Sequence, residues 1–143
     1  MMSHIVKMLV TDEEVKKAYP VMNQLRTHLT EAQYLELYAT MHKQGYHLIG
    51  LEVDDTLVAV AGVNILTNFY NLKFLFVYDL VTVESERSKG YGEQLMNFIH
   101  EYAKNQGCSH VTLESALHRT EAHRFYEEKM NYSKFCYSFR HTF

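Results

Sequence analysis

The feature that most constrains the fold is a nearly continuous apolar run at residues 72–83, which passes directly into a turn with two glycines. A strand without polar alternation is typical of burial on both faces, in the middle of a sheet. Residues 91–105, after the turn, place apolar side chains at the spacing of one helical face: Leu95, Phe98, Ile99, Tyr102 and Ala103. The chain is therefore expected to contain a central strand followed by a helix that packs on the sheet.

Shorter patterns predict the other elements. Thr11 and Thr30 each begin a capping box, so two helices are expected after them, the first disturbed at Pro20. The pair Asp54-Asp55 favours a hairpin. Further strands are expected at residues 4–10, 46–53, 56–63, 110–115 and 132–141, and a further helix at 120–130. This order is typical of an α/β fold with both parallel and antiparallel strand pairs.

Length and composition limit the classes of protein to consider. The 143 residues, 47% of them hydrophobic, fit a single domain over 1–143 with its own core. The net charge of -3 argues against a protein that binds nucleic acid through its phosphates. No apolar run approaches the roughly 20 residues that cross a bilayer, and no secretion signal is visible. We therefore expect no nucleic-acid partner, no membrane association and a cytoplasmic location.

The cysteines and histidines do not form a recognisable site. Cys108 and Cys136 are not part of a CxxC pair, and the nine histidines show no H-E-x-x-H or similar ligand spacing. We expect two reduced cysteines and no bound metal. Because neither cysteine lies in a site motif, a covalent intermediate on a thiol is also disfavoured.

The turn between the apolar strand and the helix carries a candidate anion site. In Arg87-Ser88-Lys89-Gly90-Tyr91-Gly92 two glycines open the helix, where backbone N–H groups lack internal partners and the helix dipole favours a phosphate. A G-x-G sequence alone is equally consistent with a tight turn. A P-loop is excluded because no Gly-Lys-Ser/Thr follows, and Leu95 occupies the place of a third Rossmann glycine.

The same turn resembles the R/Q-x-x-G-x-G/A signature of the GNAT acetyltransferases, and residues 122–132 resemble the family's A-x-x-F-Y-E-K-x-G-F/Y segment. The resemblance implies a GNAT fold: an α/β mixed central sheet of six to seven strands flanked by about four helices. Asn131 stands where many relatives have glycine, and asparagine also tolerates the left-handed conformation that ends a helix.

The resemblance also implies acetyl-CoA as co-substrate and identifies the residues that contact it. The turn would hold the CoA pyrophosphate, while backbone amides near Val81 and Val83 would pair with the pantetheine arm and polarise the thioester carbonyl. Residues implied to bind the co-substrate are Leu80, Val81, Thr82, Val83, Arg87, Ser88, Lys89, Gly90, Tyr91, Gly92 and Arg119.

Two residues are candidates for catalysis. Tyr126 matches the family tyrosine that protonates the departing sulfur, although its helical spacing is also that of a core aromatic. Asp79, inside an apolar strand, is either the base that deprotonates the amine or a structural carboxylate. Many relatives have an acid one position earlier, where this chain has Tyr78. Alternatives for the base are Glu84, Glu114 and His118.

The expected activity is direct transfer of an acetyl group to a primary amine of a small molecule or a peptide. The alternative is a non-catalytic acyl-CoA-binding regulatory module. The family resemblance implies that some of Tyr34, Tyr38, Phe69 and Tyr70 line the acceptor pocket, with a loop over residues 64–71 beside it. It also makes a homodimer possible, with the C-terminal strand pairing across an interface.

Overall fold

In a computed structural model, residues 2–143 are described, and they divide into two compact units. The first ends at Thr112 and contains nearly all of the sheet; the second is Leu113–Phe143. The expectation of a single domain over 1–143 stays a prediction.

Two helices begin where their capping residues predict. Thr11 and Thr30 both form complete capping boxes, with Glu14 and Gln33. Pro20 lies in the first turn of a separate short helix, the position that tolerates proline, so the first expected helix is divided in two. The helices are α1 (Asp12–Lys17), α2 (Tyr19–Met22), α3 (Glu31–Lys43), α4 (Tyr91–Asn105) and α5 (Thr120–Arg124), which continues as a π-helical turn at Phe125–Lys129.

Within residues 2–143 the sheet has five strands, in the order of the sequence. They are β1 (His4–Leu9), β2 (His47–Val53), β3 (Thr56–Asn68), β4 (Leu72–Thr82) and β5 (His110–Leu113). The pairs β1–β2, β2–β3 and β3–β4 are antiparallel. The chain passes from β4 to β5 through α4, the crossover that parallel neighbours require, so the sheet is mixed. The predicted mixed α/β architecture is confirmed.

The prediction of six to seven strands is wrong, since the segment expected to form the last strand is irregular. Residues 132–141 are in no helix or strand, and Phe135, Tyr137 and Phe139 are 68%, 82% and 92% exposed. Alternation of aromatic residues indicates which side chains would share a face, but a strand also needs a neighbouring backbone to pair with.

The two hairpins of the sheet differ in how well the sequence predicted them. Asp54 and Asp55 both have positive φ, 49° and 66°, as a two-residue primed turn requires. At the other hairpin β3 continues to Asn68, which pairs with Leu72, so only residues 69–71 form the turn. The expected loop over 64–71 is therefore mostly strand.

The sheet is covered by helices on both faces. The cluster under α1–α3 contains Val15, Ala18, Tyr34, Leu48 and Val60, all buried. On α4 the fully buried side chains are Leu95, Met96 and Ile99. From Leu75 to Thr82 the residues of β4 alternate between buried and half-buried, so the burial on both faces that the apolar sequence predicts is only partial.

The capping box of α1 makes stability depend on pH. Hydrogen bonds from the N–H groups of Thr11 and Val10 lower the pKa of Glu14 from 4.5 to about 2. A carboxylate with a lowered folded pKa stabilises the fold above pH 4.5, and this contribution disappears as the pH falls toward 2. We expect Glu14→Gln to lower the free energy of unfolding in urea at pH 7 and to have little effect near pH 2. Glu13→Gln, on the same turn but outside the box, is the control; equal effects of both variants at pH 7 would contradict the assignment.

Candidate functional site

The turn between β4 and α4 has the backbone geometry of an anion site. A short 3₁₀ helix at Glu84–Glu86 follows β4, after which Ser88 and Gly90 adopt left-handed conformations, with φ of 67° and 80°. A Cβ on Gly90 would meet no atom within 4 Å, so the space in front of the helix N-terminus is open. α4 is 15 residues long, and its first N–H groups face this space with the positive end of the dipole.

The two cations of the turn are not equivalent. Lys89 Nζ donates a hydrogen bond to Glu86 Oε2, and this contact raises the pKa of Lys89. Among residues 2–143 no ion pair involves Arg87, and its side chain is exposed. Arg87 is therefore the cation available to an incoming anion. Tyr91 is 4% exposed and its ring packs against His4, so at that position only the backbone faces the turn.

The amides of β4 that face outward are not those expected. Val83 N–H donates to Val58 O at 2.8 Å, so the amide of Val83 is already paired with the chain itself. Successive amides of a strand point to opposite edges, so Val81 N–H also faces β3, while the N–H groups of Leu80 and Thr82 face away from it. The expectation for the Val81 and Val83 amides is thus corrected by one residue.

The neighbour on the other edge of β4 is short. β5 begins where Ser109 N–H donates to Lys73 O at 2.7 Å, and it has four residues. A parallel strand of that length accompanies only the first half of β4, which has 11 residues. The outward amides of Leu80 and Thr82 lie in the second half, directly before the turn at Glu84–Gly90.

Asp79 lies at the centre of a cluster that sequence reasoning did not find, here called the Asp79 cluster: Arg26, Tyr46, Gly62 and Asp79. Asp79 is 8% exposed. Its Oδ1 accepts from Arg26 Nε at 2.9 Å and its Oδ2 from Tyr46 OH at 2.7 Å. Burial, and then the charge of Asp79, raise the pKa of Tyr46 well above its ordinary value, so the phenol stays a donor. Both oxygens of Asp79 thus have partners, as expected for a structural carboxylate.

A bulge in β4 accompanies the Asp79 cluster. Val77 is opposite Val63 and Asp79 is opposite Gly62, so Tyr78 is an extra residue with no position opposite it on β3. Arg26 Nη2 donates to Tyr78 O at 2.9 Å, and the rings of Tyr46 and Tyr78 stack with centroids 5.6 Å apart. The one signal in the sequence was an acidic residue inside an apolar strand, which does not identify its partners.

The second unit contains the remaining candidates, Arg119 and Tyr126. Arg119 is exposed and precedes α5. Tyr126 is half-buried in the π-helical turn, with its ring edge-on to Phe125 at 5.3 Å and 6.0 Å from Tyr132. Burial raises the pKa of Tyr126, which keeps its phenol protonated. Asn131 has a φ of 60°, so the left-handed conformation expected at this helix end is confirmed.

The other expected residues differ in exposure. Tyr34 is 6% exposed and donates its OH to Val15 O at 2.8 Å, so it is a core residue and does not line a pocket. Tyr38 is half-buried, and Phe69 is fully exposed at the β3–β4 turn. The alternative bases Glu84, Glu114 and His118 are all exposed. Among residues 2–143 no group of three or more His, Cys, Asp or Glu residues could hold a metal, and no helix could span a membrane.

Known proteins match both the sequence and the structure. The model of the "Acetyltransferase (GNAT) family" matches residues 11–132. The uncharacterized N-acetyltransferase YhdJ of Bacillus subtilis (strain 168) is 37% identical over 136 residues, 94% of this chain and 96% of the relative. The aminoglycoside N-acetyltransferase AAC(6')-Iy in complex with CoA matches with a TM-score of 0.87 at 12% identity, over 99% of this chain and 95% of that chain. A transcriptional regulator from Bacillus halodurans C-125 matches with a TM-score of 0.85 at 18% identity, over 99% of this chain and 100% of that chain.

The Asp79 cluster makes Gly62 a sensitive position. A Cβ there would lie 1.7 Å from Tyr46 Oη and 2.7 Å from Asp79 Oδ2. Because the backbone fixes the position of a Cβ, an alanine at this position cannot avoid these contacts. We expect Gly62→Ala to cost about 3 kcal/mol of unfolding free energy or more, the upper range for overpacking. Gly50→Ala on β2 is the matched control, since its Cβ would meet only the flexible ends of Leu57 and Leu9. Urea denaturation measures the free energy of unfolding of both variants. Equal losses of free energy would show that the side chains of the Asp79 cluster move easily to accommodate the added methyl group.

Proposed function

Because this chain belongs to the GNAT acetyltransferase family, as its two motifs predicted, we propose that it transfers an acetyl group from acetyl-CoA directly to a primary amine of a small molecule or peptide. The observation that carries the proposal is the left-handed Gly90 at the open N-terminus of α4, immediately after the outward amides of β4. An open helix N-terminus directly after outward strand amides, on one continuous segment, supports an anion site next to carbonyl-polarising donors.

The turn would hold the pyrophosphate of the co-substrate. Backbone N–H groups of residues 88–92 supply donors whose geometry does not depend on side-chain identity, and the open space at Gly90 permits close approach. Arg87 adds the available cation, and Lys89 contributes less because Glu86 already neutralises it. Ser88 adopts a left-handed conformation, which is typical of backbone turns whose successive N–H groups bind an anion.

The outward amides of β4 would bind the pantetheine arm and the acyl carbonyl. Bound acetyl-CoA supplies a thioester whose carbonyl oxygen gains negative charge as the amine attacks. Leu80 N–H and Thr82 N–H face away from β3 and are the donors we assign to this part of the molecule. Val81 and Val83 contribute by pairing with β3, which holds those donors in place.

Tyr126 would supply the proton to the leaving thiolate. Its place in the 122–132 motif supports this role, and burial raises its pKa, so the phenol carries a proton at neutral pH. Arg119 would contact the co-substrate from the loop before α5. Neither Cys108 nor Cys136 enters this scheme, in keeping with direct transfer.

Asp79 has two candidate roles in the proposal. As a base it would take the proton of the ammonium through water; as a structural carboxylate it would hold β4. Its contacts with Arg26 and Tyr46 support the second role. The two roles differ in the pH profile of Asp79→Asn: loss of a base removes the acidic limb of kcat, whereas loss of a structural contact lowers kcat at every pH.

The proposal is tested by acetyl transfer to a panel of polyamines, aminoglycosides and peptides, together with calorimetric titration of CoA. We expect wild-type turnover on at least one class, and we expect Tyr126→Phe to lower kcat by about 10²-fold, the typical contribution of a general acid, with unchanged CoA affinity. Tyr137→Phe, an exposed tyrosine of the same unit, is the matched control. CoA binding without turnover on any amine would instead support the non-catalytic acyl-CoA-binding module.

The unequal cations of the turn give a second test. Arg87→Ala should weaken CoA binding about fivefold, since an exposed ion pair contributes roughly 1 kcal/mol. Lys89→Ala should have a smaller effect, because Lys89 is already paired with Glu86. Both dissociation constants are measured by calorimetry at low salt. A larger loss at Lys89 than at Arg87 would contradict this assignment of the available cation.

A further inference from the structure

We propose that Arg26 is a positioning residue for acetyl transfer: together with Tyr46 and Gly62 it fixes the β4 bulge at Tyr78, and the bulge determines which amides of β4 face the acyl group. This inference rests on the proposed function and names residues outside both family motifs. It follows from the hydrogen bonds of the Asp79 cluster and the register of β3 and β4.

The bulge changes the register of all the residues that follow it in β4. One extra residue at Tyr78 shifts the register of residues 79–82 against β3 by one position. A shift of one residue exchanges the two edges as well as the two faces of a strand. With the bulge in place Leu80 and Thr82 direct their N–H groups away from β3; without it Val81 and Val83 would do so.

The contacts of Tyr46 and Arg26 are specific for the bulged arrangement. Consecutive side chains of a regular strand point to opposite faces. Tyr46 nevertheless contacts both Tyr78, by ring stacking, and Asp79, by a hydrogen bond. Arg26 likewise joins the carbonyl of the extra residue to the carboxylate of the next one. These contacts would not all survive if the bulge moved along the strand.

The bulge at Tyr78 needs both the guanidinium of Arg26 and the glycine at position 62. Arg26 donates from Nε to Asp79 and from Nη2 to Tyr78 O, a planar fork that the single ammonium of lysine cannot reproduce. Gly62 leaves the space in which Tyr46 OH reaches Asp79.

The segment that carries Arg26 is itself fixed at two further points. Tyr19 OH donates to Leu29 O at 2.7 Å, which ties the chain after α2 back to that helix. Glu84 N–H donates to Gln24 Oε1 at 2.8 Å, just beyond the end of β4. The segment therefore contacts β4 at the bulge and after its last residue, on either side of Leu80 and Thr82.

The experiment compares Arg26→Lys and Tyr46→Phe with Tyr34→Phe as the matched control. Tyr34 is a buried tyrosine of the same core whose OH bonds to Val15 O and not to Asp79. For the first two variants we expect kcat to fall by roughly ten- to a hundredfold, the loss that a misplacement of about 1 Å produces, and CoA affinity to stay within about twofold. Tyr34→Phe should lower thermal stability and leave kcat unchanged.

Hydrogen exchange gives a readout that does not depend on turnover. In Arg26→Lys and Tyr46→Phe the amides of residues 79–83 should exchange faster than in wild type, and in Tyr34→Phe they should not. The inference is overturned if exchange in residues 79–83 is unaltered, if the loss appears only in KM for acetyl-CoA, or if kcat falls equally in Tyr34→Phe. A wild-type chain without turnover would overturn the proposed function and the catalytic consequence, while exchange would still decide whether Arg26 fixes the bulge.

Discussion

The rest of the first unit depends on how the buried carboxylate of Asp79 is satisfied. An ionised carboxylate in an apolar strand is costly unless hydrogen-bond donors replace the lost water. Here the donors come from the segment after α2 and from the residue before β2, and β3 makes room for them by having glycine at position 62. One polar group therefore connects the helical layer to the register of the antiparallel strands.

The co-substrate site that we propose relies mainly on backbone groups. The left-handed residues Ser88 and Gly90 and the outward amides of Leu80 and Thr82 present N–H groups whose directions follow from φ angles and strand register. Such donors cost little entropy to organise, since the sheet and α4 already hold them. The requirement on sequence is correspondingly narrow: residues that adopt the left-handed conformation at positions 88 and 90, and a bulge at Tyr78.

Local signals were predictable from the sequence, and long-range pairings were not. The caps at Thr11 and Thr30, the turn at Asp54-Asp55 and the left-handed Asn131 each depend on a few neighbouring residues, and all are confirmed. Arg26 and Tyr46 lie 53 and 33 residues from Asp79 in sequence, so no spacing rule identifies them. The prediction of a sixth strand at residues 132–141 was wrong for the same reason. Alternating aromatic residues do not specify which backbone a strand would pair with.

The fold is shared at very low sequence identity, and a site made of backbone donors depends on strand register more than on side-chain identity. The aminoglycoside N-acetyltransferase AAC(6')-Iy keeps a TM-score of 0.87 with only 12% of residues identical. If most of the site is backbone, substitutions elsewhere alter packing without removing the donors, provided that strand register is preserved. Side chains such as Arg26, which control register, then bear more of the constraint than those of the exposed β3–β4 turn.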